Sequence, residues 1–475
     1  MRSGIIFLLI LVFSSLTFCQ QNIKEFQRKL DILLGNDFFD KSTASVNIYD
    51  LTSDTSLYEL NIKKLLTPAS NQKIITSVSA LIYLGADYKF ATSMYYTGKQ
   101  EGSVLNGDIY IIGGCDPLFT TNDLSWFVKR LKLMGIKGIN GNIYADVSMK
   151  DSLFWGDGWM WDDDPSSDAP YLSALNINGN CVDVKVLNKA EGERPDIIIQ
   201  PKTKFVSLIN NAVCGSDIDS SDYRVTRDWI NRVNNIYVYG TIPAKKIIQD
   251  TIETKINIFN PSLYFLTMFK ERLQASGINV EGKLKINNAP GYAKNLLIFY
   301  RPLDTVIVNM NKVSDNLSAE MLLYAMAFKY SGPHASAKKG TTLIDSLITL
   351  SGLNPQNYKI ADGSGVSRYN LVSTELLLDV LKYVYSKPLL FGEIFKSFPI
   401  AGMDGTLKNR MKNSSAESNI HAKTGTLSGV SCLSGYGSSE NGHLLAFSII
   451  IQNYVDDDSL AKYYIDEICK VISNY

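Results

Sequence analysis

The chain has 475 residues, 45% hydrophobic and 20% charged, an ordinary globular balance with room for two to four domains. Its 47 basic residues are matched by 47 acidic ones, scattered rather than run together, so no basic excess points to nucleic acid. Six cysteines lie far apart without C-x-x-C spacing, which excludes a metal framework or a dense disulfide scaffold. Buried free thiols are expected, and the sequence selects no pair for a disulfide.

The N-terminus reads as an export signal. Arg2 supplies the positive end, Ile5 to Phe13 is nearly unbroken apolar sequence, and Ser14, Ser15 and Thr17 precede Cys19-Gln20-Gln21. The apolar run is too short to span a bilayer comfortably. Cleavage is expected near Cys19, with residues 1–19 lost. The alternative is a lipid-modified Cys19, against which the bulky Phe18 stands.

Ile23 to Leu34 has helical spacing, with Gly35 as its stop, and Ala44 to Tyr49 alternates as a strand. From Pro68 a second helix is expected, with Ile74, Ile75, Val78, Leu81 and Leu84 on one stripe. Between about Tyr95 and Asn295 the text is rich in short β-like runs: Asp108–Ile112, Asn142–Ala145, Val182–Val186, Pro195–Ile199, Ile236–Tyr239 and Thr254–Ile258. At the far end Leu444 to Gln452 is a strongly apolar strand. Asp456-Asp457-Asp458-Ser459 is suited to capping a helix that runs to roughly Asn474. Helix and strand at both ends predict one α/β domain, a sheet flanked by helices, formed by 20–94 and 296–475. Its β-rich insertion divides into one domain of 95–170 with 255–295 and another of 171–254.

Three strings carry chemistry: Ser70-Asn71-Gln72-Lys73, Ser314-Asp315-Asn316 and Lys423-Thr424-Gly425. Together they form the S-x-x-K, S-x-N, K-T-G signature of penicillin-binding proteins and serine β-lactamases. S-x-x-K recurs at Ser336–Lys339 and Ser459–Lys462, and S-x-N at Ser45–Asn47 and Ser439–Asn441. K-T-G occurs once, and only Ser70 followed by Ser314 satisfies the required order before it.

Each residue type suits a step of acyl transfer. Serine is a weak nucleophile until a neighbour takes its proton, and Lys73 stands one helical turn from Ser70. A lysine serves as base only where burial or a nearby cation, here Lys423, favours its neutral form. The Ser314 hydroxyl can relay a proton to a leaving amine, and the Asn316 amide can hold a peptide group. Lys423, Thr424 and Thr426 suit a terminal carboxylate, and Gly425 leaves room for close approach. The N–H groups of Ser70 and Thr426 would form the oxyanion hole. Only three histidines exist, with no G-x-S-x-G elbow and no H-E-x-x-H helix, so other hydrolase chemistries find little support.

The flanking text resembles the D-alanyl-D-alanine carboxypeptidase/endopeptidases of the class C, low-molecular-mass penicillin-binding proteins, from about Ile48 to Ile451. The matching strings include Gly113-Gly114-Cys115-Asp116-Pro117, Ser173-Ala174-Leu175-Asn176, Asp362-Gly363-Ser364-Gly365, Ser367-Arg368-Tyr369-Asn370 and Ala401-Gly402-Met403-Asp404-Gly405-Thr406. Cys115 departs from them, standing where the family usually has glycine. The resemblance implies a penicilloyl serine transferase (β-lactamase-like) fold with a two-domain insertion, matching the 244 residues from Ser70 to Ser314. It implies acylation of Ser70 by peptidoglycan stem peptides, β-lactams as covalent inhibitors, a periplasmic location and no metal or organic cofactor. It further implies that Asp163 and Arg368 receive the free end of diaminopimelate, with Asp162 and Asp164 as competing choices. A β-lactamase or a catalytically quiet cell-wall peptide-binding protein would share the scaffold. The balance of carboxypeptidase and endopeptidase activity, peripheral membrane association and oligomeric state stay open.

Overall fold

A computed structural model describes residues 22–216, 222–245, 251–455 and 458–475; the stretch read as an export signal, with Cys19, lies outside them. The chain divides into two compact units. One comprises residues up to Tyr83, Ile307–Asp315 and Thr341–Tyr475; the other comprises Leu84–Val306 and Asn316–Gly340.

The first unit is built on an antiparallel five-stranded sheet. Its spatial order is His421–Leu427, Val430–Ser438, Leu444–Gln452, Thr43–Asp50 and Thr55–Leu60. Leu444–Gln452 lies at the centre, and its seven inner residues are buried. Side chains alternate between the faces of a strand, so this one must be covered twice. Leu445, Phe447, Ile449 and Ile451 pack with Phe26 and Leu30 of the helix at residues 22–34. Ile465, Ile468 and Ile472 of the helix Ser459–Ser473 join the same core. Truncating one such side chain to alanine would cost about 2–5 kcal/mol.

The opposite face carries Ser448 and, across the register, Ser434, whose hydroxyls lie 2.9 Å apart. Ser434 accepts from the Asn71 amide at 2.7 Å, and Tyr436 donates to the Leu381 carbonyl of the helix Thr374–Tyr385. Lys423 and Gly425 share this face through their partners Ser434 and Cys432. One side of the sheet therefore makes this core and the other carries the Lys423 side chain, with Thr424, opposite Leu433, alternating to the core side.

Asp458 occupies the N-cap of the last helix but ion-pairs with Lys462 at 2.5 Å instead of capping it. Asp456 and Asp457 lie outside the described residues. The five described cysteines, Cys115, Cys181, Cys214, Cys432 and Cys469, are all buried, and none is joined to another by a disulfide.

In the second unit all six β-like runs coincide with strands, Ile109–Ile112, Ile143–Asp146, Cys181–Leu187, Asp196–Gln200, Asn235–Pro243 and Ile252–Asn257, with Asp108, Asn142, Pro195 and Ile258 falling just outside them. The strand Lys89–Tyr96 crosses the boundary expected at 94/95, because its register partner is Lys294–Pro302 of the same unit. Two helices appear that the strand-rich text did not suggest. Thr121–Leu133 starts from a reciprocal Thr120–Asp123 capping box, and Pro261–Ala275 from the Asn260 cap with proline in its first turn. Both contribute to one hydrophobic core, through residues such as Phe127 and Phe265. Among the described residues, no helix is long and apolar enough to cross a membrane.

Candidate active site

Ser70 lies in a single 3-10 turn, Ala69–Asn71, that leads directly into the helix Gln72–Leu84. Ala69 adopts φ +44, a left-handed conformation unfavourable to a side-chain-bearing residue and maintained only by its surroundings. The helix anchors the turn through its buried stripe of Ile74, Ile75, Val78, Leu81 and Leu84. Lys73 is fully buried, with its Nζ 2.8 Å from the Ser70 Oγ and 2.7 Å from the Ser364 carbonyl. The expected pairing of serine and lysine across one turn is therefore present.

The edge strand His421–Leu427 runs beside this turn. A β-carbon on Gly425 would lie 3.0 Å from the Pro68 carbonyl oxygen and 3.1 Å from the Ser70 nitrogen, so a side chain there would make strand and turn give by a few tenths of an ångström. Lys423 is fully buried and donates to the Ser314 hydroxyl at 2.9 Å and to the Thr424 carbonyl at 2.8 Å. Burial, and then the charge of Lys73, push its ammonium well below the ordinary lysine value. The Thr424 hydroxyl meets that of Thr406 at 2.7 Å, while Thr426 is exposed on the same strand.

Ser314 is held at φ +63 after the helix Leu303–Val313. That helix is tied down by Lys312, which donates to the Phe398 carbonyl and the Asp404 carboxylate, both at 2.6 Å. Asn316 begins the next helix, in the second unit, where its amide donates to the Asp168 carbonyl at 2.6 Å. His421 stacks on Phe395 with ring centres 4.1 Å apart, and the group against the Ser70 hydroxyl is a lysine.

The chain matches the D-Ala-D-Ala carboxypeptidase 3 (S13) family over residues 26–474. It belongs to that family. It is 29% identical to a D-alanyl-D-alanine carboxypeptidase of Actinomadura sp. (strain R39), over 90% of this chain and 81% of the relative. It is 29% identical to D-alanyl-D-alanine carboxypeptidase DacB of Haemophilus influenzae, over 96% of this chain and 93% of the relative. The crystal structure of penicillin binding protein 4 (dacB) from Haemophilus influenzae superposes with a TM-score of 0.83 at 27% identity, covering 96% of this chain and all of that one. A second structure of that protein, complexed with a β-lactam, gives 0.76 at 25% identity, over the same shares. The protein is a serine-type D-Ala-D-Ala carboxypeptidase of the S13 family with the mixed α/β fold of the class C penicillin-binding proteins.

The family strings outside the three motifs have distinct structural fates. Cys115 is buried at φ +59, the left-handed region that favours glycine. Asp164 is buried and committed to Arg227 at 2.5 Å and to the Tyr171 hydroxyl at 2.7 Å. Asp163 is half-buried and accepts from the Met160 nitrogen at 2.7 Å; Asp162 is exposed. Arg368, in the first unit, is exposed and donates to the Ser428 carbonyl in the turn after the K-T-G strand.

Asp362-Gly363-Ser364-Gly365 carries no chemistry legible in the sequence, yet this loop clamps the serine turn. Beyond the Ser364–Lys73 contact, the Gly363 carbonyl accepts from the Thr76 hydroxyl at 2.7 Å. Gly365 adopts φ +85, and a β-carbon there would overlap the Ala69 carbonyl oxygen at 1.8 Å. The available signal was a run of turn-forming residues ending in Asn370; its target cannot be read from a string nearly 300 positions away.

Proposed function

We propose that Ser70 is the nucleophile and Lys73 its base, acting on the D-Ala-D-Ala carbonyl of peptidoglycan stem peptides. The observation that carries this reading is the 2.8 Å separation of Lys73 Nζ from Ser70 Oγ, with the amine wholly buried. A neutral Lys73 can donate one N–H to the Ser364 carbonyl and turn its lone pair towards the Ser70 hydroxyl. As Ser70 Oγ bonds to the carbonyl carbon, its proton passes to Lys73 and the carbonyl electrons move onto oxygen. The N–H groups of Ser70 and Thr426 receive that oxyanion, and loss of one such donor would cost about 3 kcal/mol of barrier. Collapse breaks the C–N bond, and the leaving amine takes a proton through the Ser314 hydroxyl, which Lys423 contacts. Water then hydrolyses the acyl-enzyme by the reverse proton movements.

Lys423, Thr424 and Thr426 receive the terminal carboxylate, Gly425 allows the peptide to lie along the strand edge, and Asn316 holds the penultimate peptide group. Arg368 receives the free end of diaminopimelate, so the D-Ala to diaminopimelate cross-link is a second substrate. β-Lactams acylate the same serine, a reading supported by the β-lactam complex of the Haemophilus influenzae relative. The protein works after export, in the periplasm.

The test is release of free D-Ala from a stem pentapeptide, and of monomer from a cross-linked dimer, by wild type and Ser70→Ala. Both activities should vanish together in the variant. Retention of either would remove Ser70 from that reaction.

A further inference from the structure

We infer that Asp362 is a positioning residue for the Ser70–Lys73 pair, acting through the loop it organises. Its carboxylate is 1% exposed and has no place in the reaction described above. Oδ1 accepts from the Gly365 nitrogen at 2.8 Å and the Asn370 amide at 2.6 Å. Oδ2 accepts from the Ser367 nitrogen at 2.7 Å and the Ser364 hydroxyl at 3.1 Å. Asn370 closes the knot from behind. Its Oδ1 accepts from the Ala361 nitrogen at 2.7 Å, and its amide also donates to the Ser367 carbonyl at 3.0 Å. Ser364, Ser367 and Asn370 are all fully buried.

One ionised group thus fixes the backbone on both sides of Ser364 by charge-assisted bonds, which are shorter and stronger than neutral ones. The consequence lies at the far side of the loop. Ser364 presents its carbonyl to Lys73 at 2.7 Å, and Gly365 packs directly against the Ala69 carbonyl. If the Ser364 carbonyl swings away, Lys73 loses an acceptor that aims its lone pair at Ser70. Asparagine at 362 has nearly the same shape, but its amide nitrogen must face a backbone N–H that needs an acceptor. The knot therefore requires the carboxylate rather than its volume.

This inference rests on acylation of Ser70, which labelling of wild type beside Ser70→Ala establishes separately. The test is a double-mutant cycle on full-length enzyme, with the acylation rate constant and the noncovalent affinity for a fluorescent penicillin measured separately. Asp362→Asn should slow acylation by at least about tenfold and leave the noncovalent affinity within about twofold, because misaligned reacting groups lose rate before binding. On a Lys73→Ala background the same substitution should change the residual rate by less than about twofold, since the group being aimed is gone. Asn370→Ala, which loosens the knot without removing the charge, should show the same pattern more weakly and carries the cycle if Asp362→Asn does not melt cooperatively. Wild-type acylation in Asp362→Asn, a loss confined to affinity, or an equal slowing with and without Lys73 would each overturn the inference.

Discussion

Gly425 lies so close to Ser70 that a β-carbon on it would stand 3.1 Å from the serine nitrogen. The K-T-G strand and the serine turn are thus fitted backbone to backbone, and the oxyanion hole needs that fit. Gly425→Ala would push the strand away by a few tenths of an ångström. The expected result is acylation slowed by about 10- to 100-fold with little change in melting temperature. Stopped-flow labelling with a penicillin and a thermal melt, side by side, check this.

Lys423 sets the sign of a pH effect. Burial and the neighbouring Lys73 charge depress its pKa, so the free enzyme loses the ammonium at lower pH than an ordinary lysine would. A carboxylate ligand favours the ammonium, so binding should take up a proton at any pH above the depressed value. Affinity for a D-Ala-terminated inhibitor should fall as pH rises through that value, and Lys423→Gln should flatten the slope. Calorimetry in buffers of different ionisation enthalpy reads the proton uptake directly.

Asp116 offers a stability test far from the chemistry. Its carboxyl is driven up to about 6, first by burial and despite Arg301 alongside, and its Oδ2 has no hydrogen-bond partner. A carboxyl whose folded value exceeds its unfolded one favours the fold while neutral, and that stability is lost as pH rises through about 6. A rise from 3.8 to about 6 corresponds to on the order of 3 kcal/mol. Asp116→Asn should therefore gain on wild type between pH 4 and pH 8. Denaturant melts at the two pH values measure the difference.

Arg368 separates a substrate role from a purely structural one. Its bond to the Ser428 carbonyl could brace the hairpin by itself. As a receiver of the free diaminopimelate end, Arg368→Ala should raise KM for a stem peptide with that end free by about tenfold, as for a lost charged hydrogen bond. A peptide with the end blocked should show no change. Equal losses on both peptides would make Arg368 a hairpin brace only.

Much of the catalytic unit is legible in the sequence because its signals are local. Ser70 and Lys73 stand one turn apart where a 3-10 turn enters a strongly periodic helix, and Leu444 to Gln452 is an apolar run whose strand bounds agree to the residue. What is not legible is non-local. The reach of Asp362 to the serine turn depends on a loop brought back across the fold, and no spacing rule encodes that. The helix Thr121–Leu133 is announced by Thr120 and Asp123, but the surrounding β-rich text masks it. Among the three aspartates of residues 162–164, identical side chains meet different fates, and only the fold assigns Asp164 to Arg227.

The central claim is that Ser70 forms the acyl-enzyme. Its most direct test is to label wild type and Ser70→Ala with a fluorescent penicillin and to map the modified peptide by mass spectrometry. The expected result is a stable adduct on the peptide containing Ser70 in wild type and none in the variant. An adduct on any other residue, or equal labelling of the Ser70→Ala variant, would contradict it.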